Sequence, residues 1–137
     1  MKKQNLVVIG NGMVGQKLLD QLAESGATAR YAITVLCEEP RPAYDRVQLT
    51  AYFSGSSAAD LALVEQTFFD THGIALQLNC RSVAIDRDKR QVHSAAGACF
   101  DYDKLVLATG SYPFVPPIPG HDRDGCYVYR TIEDLDA

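Results

Sequence analysis

The sequence predicts a mixed α/β fold, a parallel sheet that carries an antiparallel β-meander as an insertion, and three stretches support that prediction. Leu6-Val7-Val8-Ile9 is a short apolar run that ends in Gly10-Asn11-Gly12-Met13-Val14-Gly15 and is followed by apolar residues at helical spacing. Ile33-Thr34-Val35-Leu36-Cys37 is rich in β-branched residues and ends in Glu38-Glu39-Pro40. Beyond Gly73 the period drops to two, until Leu105-Val106-Leu107-Ala108-Thr109-Gly110 returns to an apolar run. Strands alternating with a helix imply parallel pairing, and short alternating runs joined by polar turns imply hairpins.

The first stretch reads as strand, tight turn, helix, with glycines at the spacing G-x-G-x-x-G. Gly10 permits the sharp turn, Gly12 removes a Cβ from the path of a pyrophosphate, and Gly15 allows the helix to pack closely on its strand. The helix N-terminus offers unpaired N–H groups and the positive end of a dipole. This is the pattern of a dinucleotide-binding, Rossmann-like unit.

The helix should bury Val14, Leu18, Leu19 and Leu22 on one face and stop at Ser25-Gly26. The second strand, Ile33 to Cys37, delivers Glu38 and Glu39 to its end, where a carboxylate can accept hydrogen bonds from both ribose hydroxyls. The prolines at 40 and 42 predict a loop, followed by a short helix before Gly55. Ser57 or Asp60 is placed to cap a turn. Val64, Phe68 and Phe69 suggest a helical face that ends at His72-Gly73, with glycine as the cap. The alternation at Ile74, Leu76 and Leu78, then Val83 and Ile85, then Gln91 to His93 and Cys99-Phe100, predicts the meander. Residues 102–110 read as a return to an apolar strand buried on both faces. Pro113, Pro116, Pro117 and Pro119 exclude helix and central strand, so residues 111–130 form an extended connector.

Composition narrows the function classes. The 137 residues are 47% hydrophobic and 22% charged, a balance that fits a folded domain with a proper core. A formal charge of −4 offers nucleic acid no basic footprint. No apolar run approaches the ~20 residues of a membrane span, and no leader-type segment precedes Leu6, so a cytoplasmic protein that is not held by a membrane is expected. Cys37, Cys80, Cys99 and Cys126 are widely spaced without a C-x-x-C, which favours reduced structural thiols over metal ligands or a redox disulfide.

The order strand, glycine turn, helix, acidic strand end, meander, Ala108-Thr109-Gly110 and proline-rich exit resembles the first part of the FAD domain of the flavoprotein reductases that carry two dinucleotide-binding domains. Glu39-Pro40-Arg41-Pro42-Ala43-Tyr44-Asp45-Arg46 is similar to the ferredoxin reductase type. Alanine at position 51, where those enzymes carry a lysine, together with Cys37-Glu38-Glu39-Pro40, Gly110-Ser111-Tyr112-Pro113 and Tyr129-Arg130-Thr131-Ile132-Glu133-Asp134-Leu135, resembles the large-subunit family of NAD(P)H-dependent nitrite reductases.

The resemblance implies FAD as cofactor, with Gly10, Asn11, Gly12, Met13, Val14 and Gly15 at the pyrophosphate turn and Glu38 or Glu39 at the ribose. It places Arg46 near the phosphates or adenine, Val83 at the adenine edge through its backbone, Ala108, Thr109 and Gly110 beside the cofactor, and Arg130 at its far side. None of these is implied to be catalytic. In such proteins NAD(P)H delivers hydride to the flavin, and electrons pass through an iron-sulfur cluster to a sirohaem that reduces nitrite to ammonia, with a small nitrite reductase subunit as a possible partner. A second glycine fingerprint and cysteine patterns for those centres are absent from this sequence. Residues 1–137 are therefore expected to be the N-terminal, truncated segment of an FAD-binding domain, inactive by itself, whose connector leads towards an NAD(P)H-binding domain outside it. A ferredoxin or rubredoxin reductase, a nicotinamide-binding dehydrogenase and a non-catalytic nucleotide-binding module remain as alternatives.

Overall fold

In a computed structural model that describes residues 2–137, β1 (Gln4–Ile9) is the hub. Side chains alternate between the faces of a strand, and here both faces are covered. Leu6 and Val8 pack with Leu19, Ile33, Val35 and Phe69 on the helical side, while Val7 and Ile9 pack with Leu36 and Val92 on the other. Double coverage explains why this strand is an unbroken apolar run. β1 pairs in parallel with β2 (Tyr31–Leu36) on one side and with β7 (Lys104–Leu107) on the other.

Helix α1 (Met13–Glu24) starts at Gly12 and stops at Ser25 and Gly26 as its sequence predicts, and a short 3-10 turn at Ala27–Ala29 leads into β2. Its buried face differs from the expected one. Leu19 is fully buried and Leu18 and Leu22 pack on the same core, but Val14 is 78% exposed. In the first turn of α1 the buried residues are Gly15 and Gln16.

Two strands also depart from expectation. Ala75–Gln77 forms β3, which belongs to the parallel sheet beside β2 and not to the meander, giving the order β3-β2-β1-β7. An edge strand with one face on a core shows the same alternation as a hairpin strand, so periodicity alone could not separate them. β7 is the opposite edge, paired only with β1 among the described residues, and it is half-buried instead of covered on both faces. The meander is β4 (Ser82–Asp86), β5 (Gln91–Ser94) and β6 (Cys99–Asp101), antiparallel throughout, and β5 contributes Val92 to the core beneath β1.

Helix α2 (Gln66–His72) ends at Gly73, with φ 62°, and buries Phe69 completely. The His72 ring rests against Phe68 with centroids 4.8 Å apart. Ser57 and Asp60 cap one another's turn, as the sequence suggested. The expected short helix before Gly55 is a 3-10 run over Arg46–Ser54, opened by the Asp45 side chain accepting from the Val47 N–H. This excursion has its own small core of Tyr44, Leu49 and Leu61, closed by Ile132 and Leu135 from α3 (Ile132–Asp136). Thr131 and Asp134 form a reciprocal capping box at the start of α3. Residues 111–130 contain neither helix nor strand.

All four cysteines are free. Among the described residues, no group of acidic, histidine and cysteine side chains could hold a metal, and no helix is long and apolar enough to cross a membrane.

Candidate functional site

Strands β1, β2 and β7 of the parallel sheet end at one edge, and a cleft of about 780 Å³ opens there. The chain runs outward from β1 to β2 on one side and returns to β7 on the other, so the cleft lies at the point where strand order reverses. Crevices at such switch points are where open α/β sheets bind ligands.

The glycine turn forms the floor, and its glycines differ in what requires them. The ladders run up to this turn: the Gly10 N–H donates to the Leu36 carbonyl at 2.8 Å on the β2 side, and the Ala108 N–H donates to the Ile9 carbonyl at 2.8 Å on the β7 side. With φ +105°, and the Ala108 oxygen only 2.1 Å from where a Cβ would stand, position 10 admits only glycine. At Gly15 a Cβ would meet the Gly10 carbonyl oxygen at 2.7 Å, so here the helix crosses close over its own turn. Gly12 has neither constraint. Its backbone is extended, with φ −90° and ψ −163°, and a Cβ would meet nothing within 4 Å. It faces the cleft.

Gly12 begins α1 without a side-chain cap, and no acidic residue stands in the first turn, so the initial N–H groups are not satisfied by a local carboxylate. Met13 and Val14 line the cleft from this turn, which accounts for the exposure of Val14. Asn11 is a brace: its Nδ2 donates to Gln16 Oε1 at 3.0 Å, and its Oδ1 accepts from the Ala43 N–H at 2.7 Å. Both ends of its buried amide are thus used, one tying the turn to α1 and the other to the 41–46 loop.

Glu38 and Glu39 both reach the cleft but are in different states. Glu38 is exposed and forms no hydrogen bond or ion pair among the described residues. Glu39 is mostly buried; it accepts from the Tyr44 hydroxyl at 2.6 Å and is ion-paired with Arg46. Arg46 also donates to the Tyr44 hydroxyl at 2.6 Å and to the Arg130 carbonyl at 3.0 Å, and its guanidinium lies 4.7 Å from the centre of the Tyr44 ring. Burial opposes the Arg46 charge, but the Glu39 carboxylate outweighs it and holds the guanidinium above its ordinary value. Burial, then the hydrogen bond to Glu39, pushes the Tyr44 phenol well above its usual range. Burial likewise raises the Cys37 thiol at the end of β2.

Ala108, Thr109 and Gly110 form the opposite wall after β7, and Arg130 closes the rim, its guanidinium 3.4 Å from the position of a Gly110 Cβ. The structure therefore brings together Gly10, Asn11, Gly12, Met13, Val14, Glu38, Glu39, Arg46, Ala108, Thr109, Gly110 and Arg130, with Gly15 directly beneath the floor. Val83 is the exception: it lies on β4, 57% exposed, and does not line the cleft. Sequence reasoning missed Cys37, Val47, Leu107, Tyr112, Val128 and Asp134, which also line it. Leu107 and Tyr112 adjoin the Ala108-Thr109-Gly110 motif and could have been found from it, whereas Val128 and Asp134 are brought there only by the tertiary fold.

A parallel sheet with its crevice at the switch point, a glycine turn feeding a helix, and carboxylates at the end of β2 define a Rossmann-like α/β unit. The chain belongs to the pyridine nucleotide-disulphide oxidoreductase family, whose family model matches residues 4–137. It is 50% identical over 137 residues to the nitrite reductase (NADH) large subunit of Escherichia coli (strain K12), covering 100% of this chain and 16% of that protein. It is 54% identical over 136 residues to the nitrite reductase [NAD(P)H] large subunit of Klebsiella oxytoca, covering 99% of this chain and 14% of the relative. The putidaredoxin reductase–putidaredoxin complex superposes with a TM-score of 0.83 at 28% identity, over 99% of this chain and 33% of that one. The chain thus spans about a sixth of the length of the curated relatives it matches.

Proposed function

We propose that this chain is the FAD-binding portion of an NAD(P)H-dependent nitrite reductase, an oxidoreductase in which hydride from NAD(P)H enters through the flavin and electrons leave towards iron-sulfur and sirohaem centres for reduction of nitrite to ammonia. The observation that carries the nucleotide assignment is Gly12. Neither backbone conformation nor packing requires glycine there, so its bareness is explained by a ligand that must approach the backbone.

The residues present fit the ADP half of FAD. The turn at Gly12, Met13 and Val14 would take the pyrophosphate on main-chain N–H groups with the α1 dipole behind them. Glu38, with both oxygens free, would accept from the ribose hydroxyls. Thr109 and Gly110 would flank the nucleotide, and Val83 would approach the adenine only through its backbone. FAD bound here would supply conversion of a two-electron hydride into single electrons. What this chain's residues do is bind and orient, and none touches a reacting atom. The nitrite acceptor rests on the similarity to the two large subunits, and the iron-sulfur cluster, the sirohaem and the NAD(P)H site are assigned to regions outside these residues, as is docking of any small subunit.

Gly12→Val tests the assignment. FAD affinity should fall at least about tenfold, or ~1.4 kcal/mol, while the far-UV circular dichroism spectrum stays that of the parent. A variant that binds FAD as tightly as the parent would show that the turn does not hold the pyrophosphate.

A further inference from the structure

We propose that Glu39 is a positioning residue that, through Arg46, fixes Arg130 at the rim of the cleft, leaving its neighbour Glu38 as the carboxylate that reads hydroxyl groups. The inference rests on the reading that the cleft takes the ADP half of a dinucleotide, and it divides labour between two adjacent acids that the sequence leaves equivalent.

The two acids differ in what already engages them. Glu39 is engaged by the Tyr44 hydroxyl and the Arg46 guanidinium, and the pair is largely sheltered, with side-chain exposures of 14% and 19%. A carboxylate with a cation and a phenol already on its two oxygens has little capacity left for a ribose. Arg46 is equally occupied: one nitrogen serves Tyr44 and the Arg130 carbonyl, the other serves Glu39, and its charge is balanced. Neutralised in this way, it presents a diphosphate with little net field. Arg130 is the opposite case, since its guanidinium makes no hydrogen bond or ion pair among the described residues, yet its backbone is held on both sides. Its carbonyl accepts from Arg46 at 3.0 Å, and its N–H donates to Asp134 Oδ2 at 2.9 Å within the capping box of α3. The clamp thus spans the end of β2, the 41–46 loop and the entry to α3, and its product is one free cation held opposite the phosphate turn. Charge-assisted bonds with planar guanidinium geometry suit such placement.

The test has a ligand-free arm and a ligand arm, both on this chain. E39Q/R46M removes one charge of each sign, so the clamp is lost without changing net charge. Amide exchange at Arg130 and Thr131 should accelerate at least about tenfold in this variant, with slow exchange kept in β1. In titrations, E39Q should leave adenosine affinity unchanged, whereas E38Q should weaken adenosine and ADP by the same factor. E39Q/R46M should weaken ADP about tenfold without weakening adenosine, and the triple variant E39Q/R46M/R130Q should bind ADP no more weakly than R130Q itself. Unaltered exchange at Arg130 would overturn the clamp. Loss of adenosine affinity in E39Q would make Glu39 a ribose ligand, and additive losses with R130Q would make Arg46 a direct phosphate ligand; either overturns the proposal. If E38Q, R130Q and Gly12→Val all left ADP affinity at the parent value, the cleft assignment itself would fail, whatever the exchange result.

Discussion

Replacing Gly10 and Gly12 in turn by alanine separates the glycine that the fold needs from the one that the ligand needs. At Gly10 the added methyl would sit 2.1 Å from the Ala108 carbonyl oxygen, in a backbone with φ +105°. Holding an alanine in that conformation costs about 1–3 kcal/mol. Moving the Ala108 backbone aside costs about 1–3 kcal/mol more, because Ala108 is bonded to Ile9 and continues the β1–β7 ladder. A loss of about 2–6 kcal/mol takes a large share of the ~5–15 kcal/mol that holds a domain of this size together. At Gly12 nothing lies within 4 Å and the backbone is one that any residue adopts. The remaining cost is that of alanine at a helix N-cap, at most about 1 kcal/mol. Urea unfolding followed by far-UV circular dichroism reads both variants, since the sequence contains no tryptophan. Gly10→Ala should be the less stable of the two by at least about 1 kcal/mol. A Gly12→Ala variant as unstable as Gly10→Ala, or a Gly10→Ala variant indistinguishable from the parent, would refute the distinction.

Three further outcomes follow from single side chains. Asn11→Leu strands the Ala43 N–H and the Gln16 Oε1 that Asn11 now satisfies; it should lower unfolding free energy by about 1–3 kcal/mol in the same urea assay. A thiol-specific reagent at neutral pH should modify Cys99 and Cys126, which are exposed, well before Cys37, which is buried and whose thiol burial pushes up; peptide mapping after short exposure reads the order. The Tyr44 phenol is raised in the folded chain by burial and by Glu39, so its contribution to stability is full below the ordinary phenol value near ~10 and is lost as pH rises through the elevated folded value. Tyr44→Phe should therefore show a shallower alkaline loss of stability than the parent between about pH 10 and 11, measured as the urea midpoint against pH.

What could be read from the sequence was mostly short-range. The strand, turn and helix of residues 4–25 are specified by neighbours within one or two turns, and the stops at Ser25-Gly26 and Gly73 stand where their residue types predict. The misreadings share a physical origin in long-range pairing. Whether the 74–78 alternation belongs to a hairpin or to an edge of the parallel sheet depends on β2, some forty positions earlier in the chain. Whether β7 is covered on both faces likewise depends on what pairs and packs beside it, not on its own residues. Val14 stands at a helical position that is normally inward, but in the first turn of α1 it lines the cleft instead of the core. At the site, the glycine turn and the Glu38-Glu39 pair were visible because they occupy fixed offsets in a local pattern. The different states of the two acids were not, because Glu39 is distinguished from Glu38 by Tyr44 and Arg46, and Arg46 in turn by a carbonyl 84 positions away.

The central claim is that these residues address the adenine end of a dinucleotide. Calorimetric titration of the chain with ADP, FAD and FMN tests it most directly, because the three ligands divide the cofactor into its halves. The Gly12 turn, Glu38 and the Ala108-Thr109-Gly110 wall are common to ADP and FAD, so both should bind, weakly and with similar affinity, and FMN should not compete with either. FAD binding far tighter than ADP, or FMN binding as well as ADP, would contradict the account by showing that the flavin half has its own site within these residues.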